Sequence, residues 1–132
     1  MLKISCTLLV DDDETTNYLN ERLFNRMNIT EKLLVANNGL EALEVIDRNC
    51  PEKNCPALIL LDINMPLMDG FEFLKAYEQL NFTQKQSVVI IMLTTSLNPL
   101  DIEKVKGANV AGFLNKPLTK AALEQIVEQH FA

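Results

Sequence analysis

The sequence predicts an α/β chain, a single doubly wound sheet of five parallel strands with five helices. Three observations carry that reading. Strand-like and helix-like segments alternate from one end of the chain to the other. The strand-like segments are nearly continuous apolar runs, as parallel strands covered on both faces require. Acids, hydroxyls and one cation close successive runs at the same end, where a sheet of this kind builds its ligand site.

The first strand, about residues 2–10, ends in Asp11 and Asp12. The first helix, 14–27, places Tyr18, Leu19, Arg22, Leu23 and Met27 at i, i+4 type spacing. Asp13 and Glu14 suit its start, where a carboxylate caps open N–H groups and complements the dipole. A second strand spans 32–36. The second helix, 38–48, is entered through the turn and cap signal Asn37-Asn38-Gly39 and carries Leu40, Leu43, Val45 and Ile46 on one side. Pro51 and Pro56 mark 49–56 as a surface loop. The third strand, 57–61, runs into Asp62 and is followed by Ile63-Asn64-Met65-Pro66 and Asp69-Gly70, then by a helix over 70–79. Asn81, Thr83 and Gln84 make 80–86 a loop. The fourth strand, 87–93, ends in Thr94-Thr95-Ser96 and precedes a helix over 99–107. The fifth strand, 110–114, leads to Lys116-Pro117. A last helix, 118–130, shows Ala122, Leu123, Ile126 and Val127 together, with His130 as a cation in its final turn.

Bulk properties narrow the function. A length of 132 residues suits one domain, 1–132, with no linker, internal repeat or room for an output domain. The net charge is −6 and Lys/Arg residues do not cluster, which argues against nucleic-acid binding, since that rests on phosphate neutralisation. No apolar stretch approaches the ~20 residues of a membrane span. Met1-Leu2-Lys3-Ile4 leads straight into a strand without a signal-peptide pattern, so a cytoplasmic location is expected. Cys6, Cys50 and Cys55 form an odd set suited to reduced thiols. Cys50 and Cys55 bracket four residues but lack further Cys or His ligands, so they read as loop thiols rather than a zinc site.

For strand order 2-1-3-4-5 the switch point lies between the first and third strands. The first delivers Asp11 and Asp12, and the third delivers Asp62. Each pair of carboxylates at ~4 Å repels by roughly 4 kcal/mol at an effective dielectric of ~20. A hard divalent cation offsets this, and Mg²⁺ favours oxygen ligands. Lys116 adds a positive charge. An Asp carboxylate in such a site can attack a phosphoryl group to form an acyl phosphate, and positioning and electrostatics supply the catalysis. Thr94 stands where a hydroxyl would meet a phosphoryl oxygen. Singly, each residue has an ordinary explanation: Asp as a turn or cap, Thr94, Thr95 and Ser96 as loop caps, Lys116 as a solvated cation. Their arrival together at the exits of the matching strands favours a site.

The chain resembles the receiver domain of two-component response regulators over essentially its whole length, from Leu2 to Phe131. The motifs are Leu8-Leu9-Val10-Asp11-Asp12, the run from Leu60 through Asp62 and Asn64 to Gly70, Met92-Leu93-Thr94, and Gly112-Phe113-Leu114-Asn115-Lys116-Pro117. The resemblance implies the flavodoxin-like (receiver) version of the fold. It implies Asp62 as phosphoacceptor, Asp12 as direct metal ligand, Asp11 positioning metal-bound water, and the Asn64 backbone carbonyl on Mg²⁺. Thr94 and Lys116 would bind the phosphoryl group, and Lys116-Pro117 is a candidate cis peptide bond. Thr94 and Phe113 would form the switch: Phe113 turns inward as Thr94 moves, changing the surface of helix 4, strand 5 and helix 5. Many receivers carry Tyr at this position, whose hydroxyl Phe113 lacks. Thr95, bulkier than the Ala or Gly often found there, is expected to slow the entry of small phosphodonors, and Asn64 and Ser96 to tune phosphate lifetime.

The expected function is therefore a stand-alone, chemotaxis-type receiver. It takes phosphate from a histidine kinase or a histidine phosphotransfer protein and then binds a downstream protein target, with no enzymatic activity beyond its own phosphorylation and dephosphorylation. The alternatives are a phosphorelay intermediate that passes phosphate to another His protein, and a small phosphatase with an Asp nucleophile. The phosphatase would need a substrate cap or a second acid arranged as general acid, and 132 residues leave no room for a cap. A flavin carrier of the same topology would need a phosphate-binding loop where Asp11-Asp12-Asp13-Glu14 stand. A receiver-like scaffold that is never phosphorylated would not need the full acid, Thr and Lys set.

Overall fold

A computed structural model describes residues 4–49, 56–80, 88–95, 99–108 and 110–131. The elements run β1 (Ile4–Val10), α1 (Glu14–Met27), β2 (Thr30–Ala36), α2 (Gly39–Asn49), β3 (Leu58–Asp62), α3 (Gly70–Glu78), β4 (Val89–Thr94), α4 (Pro99–Gly107), β5 (Gly112–Asn115) and α5 (Lys120–His130). All strand pairings are parallel and the order is β2-β1-β3-β4-β5, as expected. The extra loops and thiols predicted around Cys50 and Cys55, and Ser96, lie outside the described residues.

The period-two alternation of the strands separates two cores. Leu8, Val10, Ile59, Leu61, Ile90 and Met92 point to one face and pack with Ala42, Val45, Ile46, Phe73, Leu74 and Val105 from α2, α3 and α4. Leu9, Leu58, Leu60, Ile91 and Leu93 point to the other and pack with Phe24, Leu123, Ile126 and Val127 from α1 and α5. One polar residue interrupts β1 inside: the buried Thr7 hydroxyl donates to Thr30 Oγ1 at 3.0 Å, so it is satisfied.

The sequence reading needs correction at the sheet edges and on two helices. Only β1, β3 and β4 are covered on both faces. In β2, Glu31 and Lys32 are exposed, and β5 alternates half-buried and exposed residues, because each lies at an edge with one neighbouring strand. β2 also starts two residues earlier than predicted, at Thr30, where pairing with Ile4 sets the register despite a polar start. β4 extends to Thr94 and β5 to Asn115, so the site residues stand on or one step beyond the strand ends. On α1 the buried side is Asn17, Asn20 and Phe24, whereas Tyr18 and Leu19 face outward, 59% and 56% exposed. Leu23 and Met27 of the predicted set are half-buried against the same core as Phe24, and two amides rather than further apolar groups complete the inner face. Leu40 on α2 is likewise exposed, while Ala42 takes the inner position.

The caps follow the residue chemistry. Asp13 caps α1, accepting from Thr15 N at 3.1 Å and from the Thr16 hydroxyl at 2.8 Å. Asn38 Oδ1 accepts from Glu41 N at 2.8 Å at the entry to α2. Asp69 and Glu72 form a reciprocal capping box on α3, and Thr119 caps α5 two residues later than predicted.

Candidate functional site

The carboxyl ends of β1 and β3 lie side by side because Val10 pairs with Leu61. The next residue on each chain is therefore an acid at the same level: Asp11 after β1, and Asp62 as the last residue of β3. Asp11, Asp12 and Asp62 each offer a carboxylate oxygen, and these oxygens lie within 4.8 Å of one another. Asp11 and Asp62 are buried, at 3% and 6% exposure, while Asp12 faces solvent. β4 brings Thr94, buried at its last position, and β5 pairs Asn115 with Thr94. Lys116 follows directly, and its backbone N–H donates to the Thr94 carbonyl at 2.9 Å. Its ammonium reaches back over the sheet end to Asp11 Oδ2 at 2.6 Å and Asp62 Oδ1 at 3.1 Å. The Lys116-Pro117 peptide bond is cis.

The electrostatics follow from that geometry. Burial, and then the charge of Asp11, push the Asp62 carboxyl up to about 6, against the pull of Lys116. Burial opposes the charge of Lys116 as well, but the hydrogen bond to Asp11 and the charge of Asp62 outweigh it and raise its pKa. One ammonium thus faces three carboxylates and leaves them short of positive charge. An all-oxygen set of this kind suits a hard divalent cation.

Asp11, Asp12, Asp62 and Lys116 are therefore brought together, with Thr94 at the end of the strand beside β3. Asn64 is exposed two residues beyond Asp62, and Phe113 is 38% exposed on β5, turned outward. Thr95 is exposed at the mouth, next to a groove that it lines with Thr16, Leu19, Lys116, Pro117 and Leu118.

Two supporting residues escaped the sequence reading. Asn17 is buried on α1, and its amide donates to the Asp11 carbonyl at 2.9 Å. It fixes the backbone from which the carboxylate projects, while Asp13 N–H donates to Asp11 Oδ1 at 3.0 Å. The signal available was its place one helical face with Phe24, seven residues on. Gly70 is the second. A Cβ there would stand 2.7 Å from the Asp62 carbonyl oxygen and 3.1 Å from Ile63 Cα, both backbone atoms that cannot step aside. Gly70→Ala is expected to lower stability by about 1–3 kcal/mol through this overpacking, read as a lower urea midpoint, and to displace Asp62.

Between them the chain turns through Leu67 at a φ of 67°, with its side chain 79% exposed. A left-handed residue other than glycine costs roughly 1–2 kcal/mol. Leu67→Gly is expected to raise stability by about 0.5–1 kcal/mol after the added freedom of glycine in the unfolded chain is deducted. An unchanged or lower urea midpoint would contradict this.

Comparison with known proteins places the chain in a family. The family model of the response regulator receiver domain matches residues 7–128. Hybrid signal transduction histidine kinase B of Dictyostelium discoideum is 34% identical over 97% of this chain, which spans only 7% of that protein. Two-component response regulator 24 of Arabidopsis thaliana is 31% identical over 92% of this chain and 81% of its own length. Among solved structures, a two-component response regulator from Cytophaga hutchinsonii superposes with a TM-score of 0.87 at 29% identity, covering 96% of both chains. Chemotaxis protein CheY4 of Vibrio cholerae gives 0.78 at 27% identity, over 97% of this chain and 99% of its own. Among the described residues no helix is long and apolar enough to cross a membrane. The receiver-domain model spans most of a chain whose five parallel strands run in the order β2-β1-β3-β4-β5, and the chain belongs to the response regulator receiver domain family.

Proposed function

We propose that Asp62 accepts a phosphoryl group from a phosphohistidine, on a histidine kinase or a histidine phosphotransfer protein, in a Mg²⁺-dependent reaction. The single observation that carries this is the convergence of Asp11, Asp12 and Asp62 under the Lys116 ammonium. Asp11, Asp12, Asp62 and the Asn64 carbonyl would hold Mg²⁺, which when bound neutralises the carboxylates and the incoming phosphoryl charge.

The chain's own groups do the rest. An Asp62 carboxylate oxygen forms the new O–P bond as the P–N bond of phosphohistidine breaks, and the departing imidazole keeps the electron pair and takes a proton. Lys116 pairs with a phosphoryl oxygen, exchanging part of its contact with Asp62, and the Thr94 hydroxyl donates to another. Hydrolysis of the acyl phosphate by water returns the carboxylate and releases inorganic phosphate, so the protein is a switch rather than an enzyme acting on other substrates. The added charge of about −2 beside Thr94 and Lys116 draws Thr94 inward. Phe113 then leaves its exposed position, and the surface of α4, β5 and α5 changes toward a protein target. Passing the phosphate to a further histidine protein is the second role the same chemistry allows. A cytoplasmic site of action suits both.

Mass spectrometry after incubation with a small phosphodonor and Mg²⁺ tests the assignment. One phosphoryl increment is expected on the native chain, and none on Asp62→Asn or after chelation of the metal. An increment on both chains would assign the phosphate elsewhere.

A further inference from the structure

Away from the acidic site, α4 sits loosely on the molecule. Among its described side chains only Val105 is buried, with Ile102 half-buried, while Glu103, Lys104 and Lys106 face solvent. A helix anchored by so few apolar residues leaves a gap against its neighbour. The gap is a cleft of about 520 Å³ between α3 and α4, within the roughly 300–1,000 Å³ of ligand pockets. Phe71, Leu74 and Ala108 give it an apolar floor. Lys75 from α3 and Lys104 from α4 line opposite walls, with Glu78 near Lys75. The Lys104 ammonium lies 5.4 Å from the centre of the Phe71 ring. Among the described residues neither Lys75 nor Lys104 takes part in an ion pair. Two cations over an apolar floor stand out on a chain of net charge −6.

We propose that this cleft docks a short acidic segment of a partner protein, one that inserts a single aromatic or branched apolar side chain and sets carboxylates against Lys75 and Lys104. Charge complementarity selects the partner's sign, because the two lysines of the cleft attract carboxylates on a chain whose net charge of −6 otherwise disfavours an acidic peptide. Glu78 in the same cleft disfavours a broad acidic face, so the occupant is a short segment. The apolar anchor supplies affinity, and the rim cations supply register and sign. The site uses none of the phosphoacceptor residues and stands independently of that reading.

The test is an amide-resolved NMR titration of the whole chain with the peptide acetyl-Glu-Asp-Phe-Leu-amide and with a control in which both acids are Lys. Saturable shifts are expected at Phe71, Lys75, Lys104 and Gly107 with the acidic peptide only. Lys104→Glu is expected to weaken binding about three- to tenfold. Gly107→Leu fills the cleft and is expected to abolish binding. A Cβ at Gly107 meets no atom within 4 Å, so the fold has room for it, and circular dichroism verifies this. Should that variant misfold, Lys104→Glu decides alone. Asp62→Asn is expected to bind as the native chain does. Absence of saturable shifts, shifts confined to another surface, equal binding of the Lys peptide, or indifference to Lys104→Glu would each overturn the proposal.

Discussion

Asp62→Asn is expected to make the metal-free protein more stable at pH 8, by as much as about 3 kcal/mol, and to lose that advantage in acid. The folded-state carboxyl titrates at about 6 against an ordinary value of 3.8, chiefly because it is buried and then because Asp11 is charged. Between those two values the folded state holds a proton that the unfolded chain has released. Stability therefore falls as pH rises through this window, and above about 6 the full cost is present. One pKa unit corresponds to about 1.4 kcal/mol, and a separation of about two units gives the figure above. Asn fills the same volume, still accepts from Lys116 and does not ionise. For a chain of this size each kcal/mol moves the melting temperature by roughly 3–4 °C, so a rise of up to about 9–12 °C at pH 8 is expected. Below pH 4 the native and variant curves should converge. Equal melting temperatures at pH 8, or a difference independent of pH, would show that Asp62 is not held at a cost. The same variant is the one expected to form no phosphoryl adduct, so greater stability and loss of function are expected from a single change.

The second large effect is expected from Lys116→Met, which keeps the chain length and removes the ammonium from between Asp11 and Asp62. The lysine side chain is only 15% exposed and makes contacts of 2.6 and 3.1 Å. Breaking a buried ion pair by deleting one partner leaves an uncompensated charge and typically costs 3–5 kcal/mol. A loss of about 3 kcal/mol at pH 8 is expected here, read from the urea midpoint, since the site opens to solvent at Asp12. The loss should shrink at pH 5, where Asp62 takes up a proton. Added Mg²⁺ should recover more stability in the variant than in the native chain, because bound cation then supplies the positive charge that the ammonium no longer gives. A loss of equal size at both pH values, unaffected by Mg²⁺, would mean that the methylene stem of Lys116 matters and its charge does not.

Much of the architecture was legible because the strands β1, β3 and β4 are buried on both faces and announce themselves as unbroken apolar runs. Strand order sets the switch point, and the switch point gathers Asp11, Asp12 and Asp62, so that part of the site follows from the order of the apolar runs and the acids that close them. The errors share one cause. Edge strands and the inner face of α1 are decided by tertiary surroundings rather than by local hydrophobicity. Asn17 and Asn20 are polar in composition and buried in place, so apolar spacing picked out Tyr18 and Leu19, which face outward, and passed over both amides. Gly70 stood in the motif run without a role of its own, because its constraint comes from the Asp62 carbonyl, a contact between two elements that only the folded chain reveals. The αL conformation at Leu67 was hidden for the opposite reason, since leucine is not a residue that signals positive φ. The cleft between α3 and α4 left no trace in either periodicity, because it arises where α4 fails to bury enough.

The most direct test is a crystal structure of the native chain soaked with Mg²⁺ and beryllium fluoride, a mimic of the phosphoryl group. Density for a cation touching Asp12 and Asp62, and for the fluoride complex bonded to an Asp62 oxygen with Lys116 and Thr94 turned onto it, is the predicted result. An unfilled pocket, its ammonium still clamped across the β1 and β3 acids at full occupancy of the soak, would contradict the account.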